Sequence, residues 1–265
     1  MLIIGEKINA TLPGVRDVIN KRDSEGLARF ARGQAVAGAD YIDVNVGTGS
    51  GTREDEIEAM RWAVKTVMAE VKVPLCIDSS DPLVLKEGLE AAGERAGLIN
   101  STKGSTENLD QVLPLALDYK TSVVALAMDE QGIPKSVEGR LHACNTVAEA
   151  CEKRGIPLER IMFDPLVLPL STDITQGMCT LETLQEIRSR FPAAGTAMGL
   201  SNISFGLPSR KRVNEAFLHM AIFAGLGAAI MDPMNRDMVG AVRTAEVIVG
   251  RDRHCRRYTR FFRKS

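Results

Sequence analysis

Leu75-Cys76-Ile77-Asp78-Ser79-Ser80 is a short apolar run that stops on an acid and breaks into a hydroxyl-rich loop. The same pattern lies on both sides of it. Upstream stand Leu2-Ile3-Ile4 before Gly5-Glu6-Lys7-Ile8-Asn9, and Tyr41-Ile42 before Asp43-Val44-Asn45. Downstream come Leu98-Ile99 before Asn100-Ser101, Val123 to Met128 before Asp129, and Ile161-Met162-Phe163 before Asp164-Pro165. Ala197 to Leu200 before Ser201-Asn202, and Ala228 to Met231 before Asp232, close the series. Apolar runs bounded by turn residues mark parallel strands buried on both faces. Eight of them at helix-length intervals predict a (β/α)8 TIM barrel, whose active site sits where the strands end. The polar residues that end the runs then converge on one mouth, as in an enzyme or a tight small-molecule binder.

The intervals carry helical patterns. Ser24 to Ala37 stops at Gly38, and Arg53 to Val71 opens with Glu54, Asp55 and Glu56, which suit the positive end of a helix dipole. Asp81 and Pro82 supply a cap and a first helical residue, with Gly93 near the stop. Leu109 to Tyr119, Val137 to Arg154, Thr180 to Arg190, Ser209 to Ala224 and Asn235 to Val249 complete the set.

At 265 residues the chain matches one such barrel, so a single domain over 1–265 is expected. A net charge of −1, from 33 basic and 34 acidic residues, argues against a general nucleic-acid or membrane-surface role. The five cysteines form no C-x-x-C pair, as suits free thiols in a reducing compartment. Strand one begins at the second residue, which leaves no room for a signal peptide, and a cytoplasmic location is expected. Phe217 to Met231 is the most membrane-like stretch, but His219, Gly225 and Gly227 divide it into a core helix and a buried strand. A basic tail, 251–265, carries Arg251, Arg253, Arg256, Arg257, Arg260, Arg263 and Lys264. Such a cluster can bind an acidic partner or a polyglutamate tail, but Tyr258, Phe261 and Phe262 fall at helical spacing within it, which favours a terminal helix packing its aromatics on the barrel with its arginines in water.

His142, His219 and His254 all miss the strand ends, which disfavours a histidine-based zinc site or a Ser–His–Asp triad. Cys76, inside a strand, is expected to be inert, and Cys144 with Cys151 reads as helix core. Lys7 and Lys103 lie just past strand ends, where a lysine can form a Schiff base or hold a phosphate, but Lys7 is flanked by acids and amides and a salt bridge with Glu6 or Asp43 is at least as good a reading. What remains is a set of carboxylates and amides: Glu6, Asn9, Asp43, Asn45, Asp78, Asn100, Asp164, Asn202 and Asp232. Any one of them has a structural reading: Asp232 before Pro233 is a cap candidate, and Asp43 with Asn45 alternates along a strand. Their convergence favours a ligand rich in N–H donors, such as a reduced pterin with its 2-amino group, N3–H and N8–H. A magnesium site is the competing use, disfavoured by the amides and by the lack of paired acids at one strand end, so no bound metal is expected.

These motifs resemble the pterin-binding barrels that handle methyltetrahydrofolate. The likeness is carried by Leu2 to Asn9, Asp43-Val44-Asn45-Val46-Gly47, Cys76-Ile77-Asp78-Ser79 and Ile99-Asn100-Ser101-Thr102. It continues through Gly132-Ile133-Pro134, Asp164-Pro165-Leu166, Leu168-Pro169 and Gly199-Leu200-Ser201-Asn202-Ile203-Ser204. The most similar family is the methyltetrahydrofolate:corrinoid protein methyltransferases, which includes the folate domain of cobalamin-dependent methionine synthase. The resemblance implies a homodimeric barrel in which Asp78, Asn100 and Asp164 hold the pterin. Gly199 and Ser201 would lie beside it, Asn202 near N5 as the catalytic residue, and Arg210 close to the substrate. Phe205 stands where a well-known member has glutamine, which bears on folate contacts and corrinoid docking in that loop.

The resemblance further implies methyl exchange between N5 of tetrahydrofolate and the cobalt of a corrinoid, in a direction the sequence does not fix. The chain has no D-x-H-x-x-G motif, so the cobalamin is expected on a separate protein. That partner would dock over the mouth at the loops 48–53, 204–210 and 232–236. Dihydropteroate synthase is the runner-up, but its N-x-T-P-D-S-F loop and S-x-R diphosphate site have no counterpart here. A non-catalytic folate-binding subunit of a methyl-transfer complex is the alternative from another class. A sugar-phosphate or metal-dependent barrel is a third option, without the glycine-rich phosphate loop expected near strands seven and eight.

Overall fold

The computed structural model describes residues 1–263. Its strands are β1 (Leu2–Asn9), β2 (Tyr41–Asn45), β3 (Leu75–Asp78), β4 (Ala96–Lys103), β5 (Ser122–Leu126), β6 (Ile161–Asp164), β7 (Gly195–Gly199) and β8 (Ala228–Met231). All neighbours pair in parallel, and β8 closes on β1 to complete a TIM barrel. Around it run α1 (Pro13–Asn20), α2 (Ser24–Val36), α3 (Arg53–Glu70), α4 (Pro82–Ala92), α5 (Thr106–Asp118), α6 (Val137–Lys153), α7 (Gln176–Arg190), α8 (Arg210–Ala224), α9 (Arg236–Ile248) and α10 (Arg256–Arg263).

Local chemistry explains most of these boundaries. Asp23, Thr52, Asp81, Ser105, Ser136 and Asn235 each cap a helix by accepting an amide of its first turn. Thr52 and Asp55 form a reciprocal capping box at α3. Helix α1 is absent from the sequence expectation. It is short, has no side-chain cap and buries only Val15 and Ile19, too little pattern to stand out. Strands β1 and β4 outrun their apolar stretches, to Asn9 and Lys103, and each carries a register shift there. Their ends stay in strand because pairing resumes beyond the shift, Ile8 and Asn9 with β2 and Thr102 and Lys103 with β5.

Two shells of apolar contact hold the barrel. The outer shell lies between strands and helices, and the inner one fills the barrel with Ile4, Cys76, Leu98, Val124, Ala197 and Ala228, flanked by Tyr41, Met162 and Ile230. Cys76 is therefore fully buried, and burial together with nearby Asp43 pushes its thiol well above the usual range. Cys144 and Cys151 are buried as expected, raised by burial to about 12 and about 11.

The tail forms the expected terminal helix. Phe261 reaches the α9 side of the core, where a Cβ on Gly240 would sit 3.3 Å from Phe262. Tyr258 and Phe262 stack on each other at 4.6 Å and stay partly exposed. The arginines are not all in water: Arg257 meets the buried Glu246 at 2.9 Å, and Arg251 donates to Leu226 O at 2.7 Å. Lys264 lies outside the described residues.

The seam between α3, α4 and β3 depends on Gly88, where a Cβ would fall 2.6 Å from Ile77 and 2.9 Å from Met60. Gly88→Ala should therefore cost about 1–3 kcal/mol by overpacking, read as a lower midpoint in urea at an unchanged slope.

Candidate active site at the barrel mouth

Side chains alternate along a strand, so the residue two places beyond each inner-core position faces the same interior, nearer the mouth. From Tyr41, Cys76, Leu98, Met162 and Ala197 that step reaches Asp43, Asp78, Asn100, Asp164 and Gly199. The barrel thus changes from dry to polar within one layer. In the β2–β3–β4 wall, Asn45 is in register with Asp78, and Asp78 with Asn100. Asn45 Nδ2 donates to Asp78 Oδ2 at 2.9 Å, while Asn45 Oδ1 accepts the Gly47 amide at 3.1 Å. Asn45 is therefore a brace for Asp78. Asn100 Nδ2 donates to the buried Asp43 at 3.4 Å. Burial raises the Asp78 carboxyl to about 6, against hydrogen bonds from Asn45 and Asp43 that lower it.

Across the mouth, Asp164 ends β6 and is only 6% exposed. Its Oδ1 accepts the Leu166 amide at 2.7 Å. Burial lifts its carboxyl to about 7, with the Leu166 amide, Arg140 and the Gly199 amide pulling the other way. Arg140 is wholly buried on α6. It donates to Pro134 O (3.0 Å), Leu166 O (3.1 Å), Thr180 Oγ1 (3.1 Å) and Gln176 Oε1 (2.7 Å), which ties the β6–α7 connection to the helix layer.

A 3-10 turn, Leu200–Ser204, follows β7 and carries Ser201 and Asn202, the latter exposed. A Cβ on Gly199 would meet only Asn202 Nδ2, at 3.9 Å, so the space above Gly199 is open. Arg210 braces this turn, with Nη2 on Ser201 O at 2.8 Å and Nε on Ser204 Oγ at 3.0 Å. Its guanidinium lies 5.8 Å from the Phe205 ring, which is 64% exposed.

The β8–β1 side differs from the sequence reading. Lys7 Nζ pairs with Asp232 Oδ2 at 2.8 Å, not with Glu6 or Asp43, because the closed barrel sets β8 beside β1. Glu6 is raised to about 7 by burial and by Asp232, and lowered by Lys7 and Arg210. Asn9 turns into its own loop, accepting the Thr11 amide and hydroxyl at 2.9 and 2.6 Å. The barrel therefore gathers Glu6, Asp78, Asn100, Asp164, Gly199 and Asn202 around its mouth, with Asp43 buried beneath them, while Asn9 serves its loop and Asn45 its neighbour. Two contributors escaped the sequence. Glu56, read only as a dipole partner, accepts from Ser79 Oγ at 3.1 Å. Arg140 gave no signal, since an arginine on a helix ordinarily reads as solvent-facing.

Replacing Arg140 with methionine should leave buried carbonyls unpaired and lower stability by roughly 3 kcal/mol or more. It should also drive the Asp164 carboxyl further up by removing its cation, which carboxyl titration by NMR would follow.

The pterin binding enzyme family model matches residues 5–232. The methylcorrinoid:tetrahydrofolate methyltransferase of Eubacterium limosum is 39% identical over 266 residues, spanning 100% of this chain and 97% of that protein. Methionine synthase of Mycobacterium tuberculosis is 30% identical over 89% of this chain, which spans only 21% of that longer protein. Among solved structures, dihydropteroate synthases of Vibrio fischeri and Yersinia pestis superpose with TM-scores of 0.74 and 0.70. Both pairs cover 94% of this chain and 93% of the other, at 17% and 18% identity, a likeness of fold alone. The chain belongs to the pterin-binding enzymes, in the family of the methylcorrinoid:tetrahydrofolate methyltransferase.

Proposed function

We propose that this protein is a methyltransferase that exchanges a methyl group between a corrinoid carried on a separate protein and N5 of tetrahydrofolate, acting as one barrel domain. The observation that carries this reading is the row of acceptors: Asp78 and Asn100 in register on one wall and Asp164 on the other. A reduced pterin presents N–H donors that such a row can satisfy. Gly199 leaves room for a flat ring to lie close to the backbone. Full-length similarity to the Eubacterium limosum enzyme favours transfer from methylcorrinoid to folate. The likeness to dihydropteroate synthases stops at the fold, so that alternative ranks below.

The partner's corrinoid supplies a cobalt that carries the methyl group. The chain's own residues bind and orient the folate. Asp78, Asn100 and Asp164 hold the pterin edge, and Asn202 offers N5 a hydrogen bond that strengthens as charge changes there. An amide has no proton to give at neutral pH, so any proton exchanged at N5 passes to or from solvent. Presenting N5 squarely to the methyl group is a large part of the rate gain. The same residues serve both directions.

The partner docks over the mouth, where Phe205 and Met234 are exposed on the β7–α8 and β8–α9 loops. A second copy of the chain covers the face of α7, α8 and α9, where Met178, Met220, Phe223 and Ile248 line a groove of about 460 Å³ with few polar groups. Phe223 and Ile248 are 75% and 78% exposed there, as expected of an interface. The free cysteines suit a cytoplasmic location, and no helix among the described residues is long and apolar enough to cross a membrane.

Methylcob(III)alamin and tetrahydrofolate mixed anaerobically with the protein should show enzyme-dependent formation of cob(I)alamin in the visible spectrum. Folate binding without turnover on any methylcorrinoid, free or protein-borne, would instead indicate a non-catalytic subunit. Asn202→Ala should cut methyl transfer by about 10²–10³-fold with little change in folate affinity, and equal losses in both would refute its role at N5. Asp78→Asn and Asp164→Asn should weaken folate binding, as titration calorimetry would register. The pterin needs both carboxylates ionised, so affinity should tighten as pH rises through about 6 to 7, with proton release on binding. In the unliganded protein the sign reverses. A raised carboxyl stabilises the fold fully below its unfolded value, and that contribution is lost as pH rises through the same window. Phe223→Arg should yield monomers in sedimentation, and an unchanged mass would remove this face from the interface.

A further inference from the structure

Asp43 lies one layer beneath the pterin contacts and 1% exposed, too deep to touch a ligand in the mouth. Four polar side chains face it from three strands: Asp78 and Cys76 on β3, Asn100 on β4 and Glu6 on β1. Asn100 Nδ2 donates to its carboxyl at 3.4 Å, and the Cys76 thiol and the Asp78 carboxyl lie close enough to act on it. Among the described residues no cation pairs with it: Lys7 is engaged by Asp232 and Arg140 by the β6–α7 connection. Two carboxyls in contact inside a dry interior cannot both be charged. Asp43 is the deeper of the two at 1% exposure, while Asp78 borders the mouth and accepts Asn45 Nδ2 at 2.9 Å, so the proton resides on the deeper member; burial and Asp78 both push the Asp43 carboxyl upward.

This arrangement settles the direction of an amide. An asparagine presents a donor and an acceptor on nearly indistinguishable arms, and its neighbours decide which arm points where. With its Nδ2 spent on Asp43, Asn100 turns Oδ1 toward the mouth. We infer that Asp43, as a neutral acid, is a positioning residue for the pterin site: it donates to Asp78 and accepts from Asn100, so that both present acceptors to the ligand. The inference rests on the folate reading above and adds a residue that acts only through others.

The test compares Asp43→Asn with Asp43→Val. An asparagine can still donate to Asp78 and accept from Asn100, whereas valine keeps roughly the volume and loses both. Tetrahydrofolate titrations at neutral pH should give Asp43→Asn within about threefold of the parent and Asp43→Val weaker by tenfold or more. Infrared spectra at alkaline pH, where Glu6, Asp78 and Asp164 are ionised, should show a protonated-carboxyl band in the parent that is absent from Asp43→Asn. The inference is overturned by a missing band, by an Asp43→Asn variant as weak as Asp43→Val, or by an Asp43→Val variant that binds like the parent. Should Asp43→Val fail to fold, Asp43→Asn and the infrared band still decide the matter. A parent that binds no tetrahydrofolate defeats the functional reading itself, an outcome distinct from a parent that binds and variants that do not differ.

Discussion

In a closed parallel barrel each strand must point every second side chain into one narrow shared interior, and those side chains have to fill it. That pleat constrains everything else in this molecule. Ile4, Cys76, Leu98, Val124, Ala197 and Ala228 close the interior to water. One pleat further along the strands the same interior opens, and Asp78, Asn100 and Asp164 meet at its rim. A polar layer resting on a dry plug cannot be displaced downward, so the site has a hard floor. The loops are free to vary above it.

The same floor governs the electrostatics. Carboxyls that sit over apolar packing lose the solvation that keeps ordinary acids ionised near pH 4. Glu6 and Asp164 rise to about 7 and Asp78 to about 6, all chiefly through burial. Such groups are poorly satisfied by the protein alone. On the function proposed above, a ligand offering N–H donors would replace the missing water, so desolvation that weakens the empty protein would be turned into selectivity for a donor-rich ring. The charge of Arg140 moderates one of these acids.

The rim and the outer wall serve different ends. Arg210 spends two hydrogen bonds on the turn that carries Asn202, which steadies a residue that projects from the barrel into solvent. Phe205, on the same turn, is left largely uncovered above it. On the outer wall, Phe223 and Ile248 expose apolar surface far from the chemistry. One surface borders the barrel mouth, the other does not, and the barrel's geometry keeps them apart.

Much of this was legible in the residues themselves. Apolar runs ending on acids and amides announce buried parallel strands, and caps such as Thr52 and Asp81 announce where helices start, because both signals are local. The acceptors at the mouth were legible too, as each stands at the end of its own run. Pairings across strands were not. Lys7 joins Asp232, more than two hundred residues away in sequence, because barrel closure brings β8 beside β1. Arg140 is buried among carbonyls, although its surroundings in sequence resemble any exposed helix face. Asn45 and Asp43 look alike as candidates along β2, yet one braces Asp78 at the rim and the other lies beneath it. The sequence by itself determined the fold class, the order of the strands and the family, since these follow from periodicity and local motifs. Only the tertiary structure decided which polar groups face the mouth and which face each other, because burial and partnership are properties of neighbours in space.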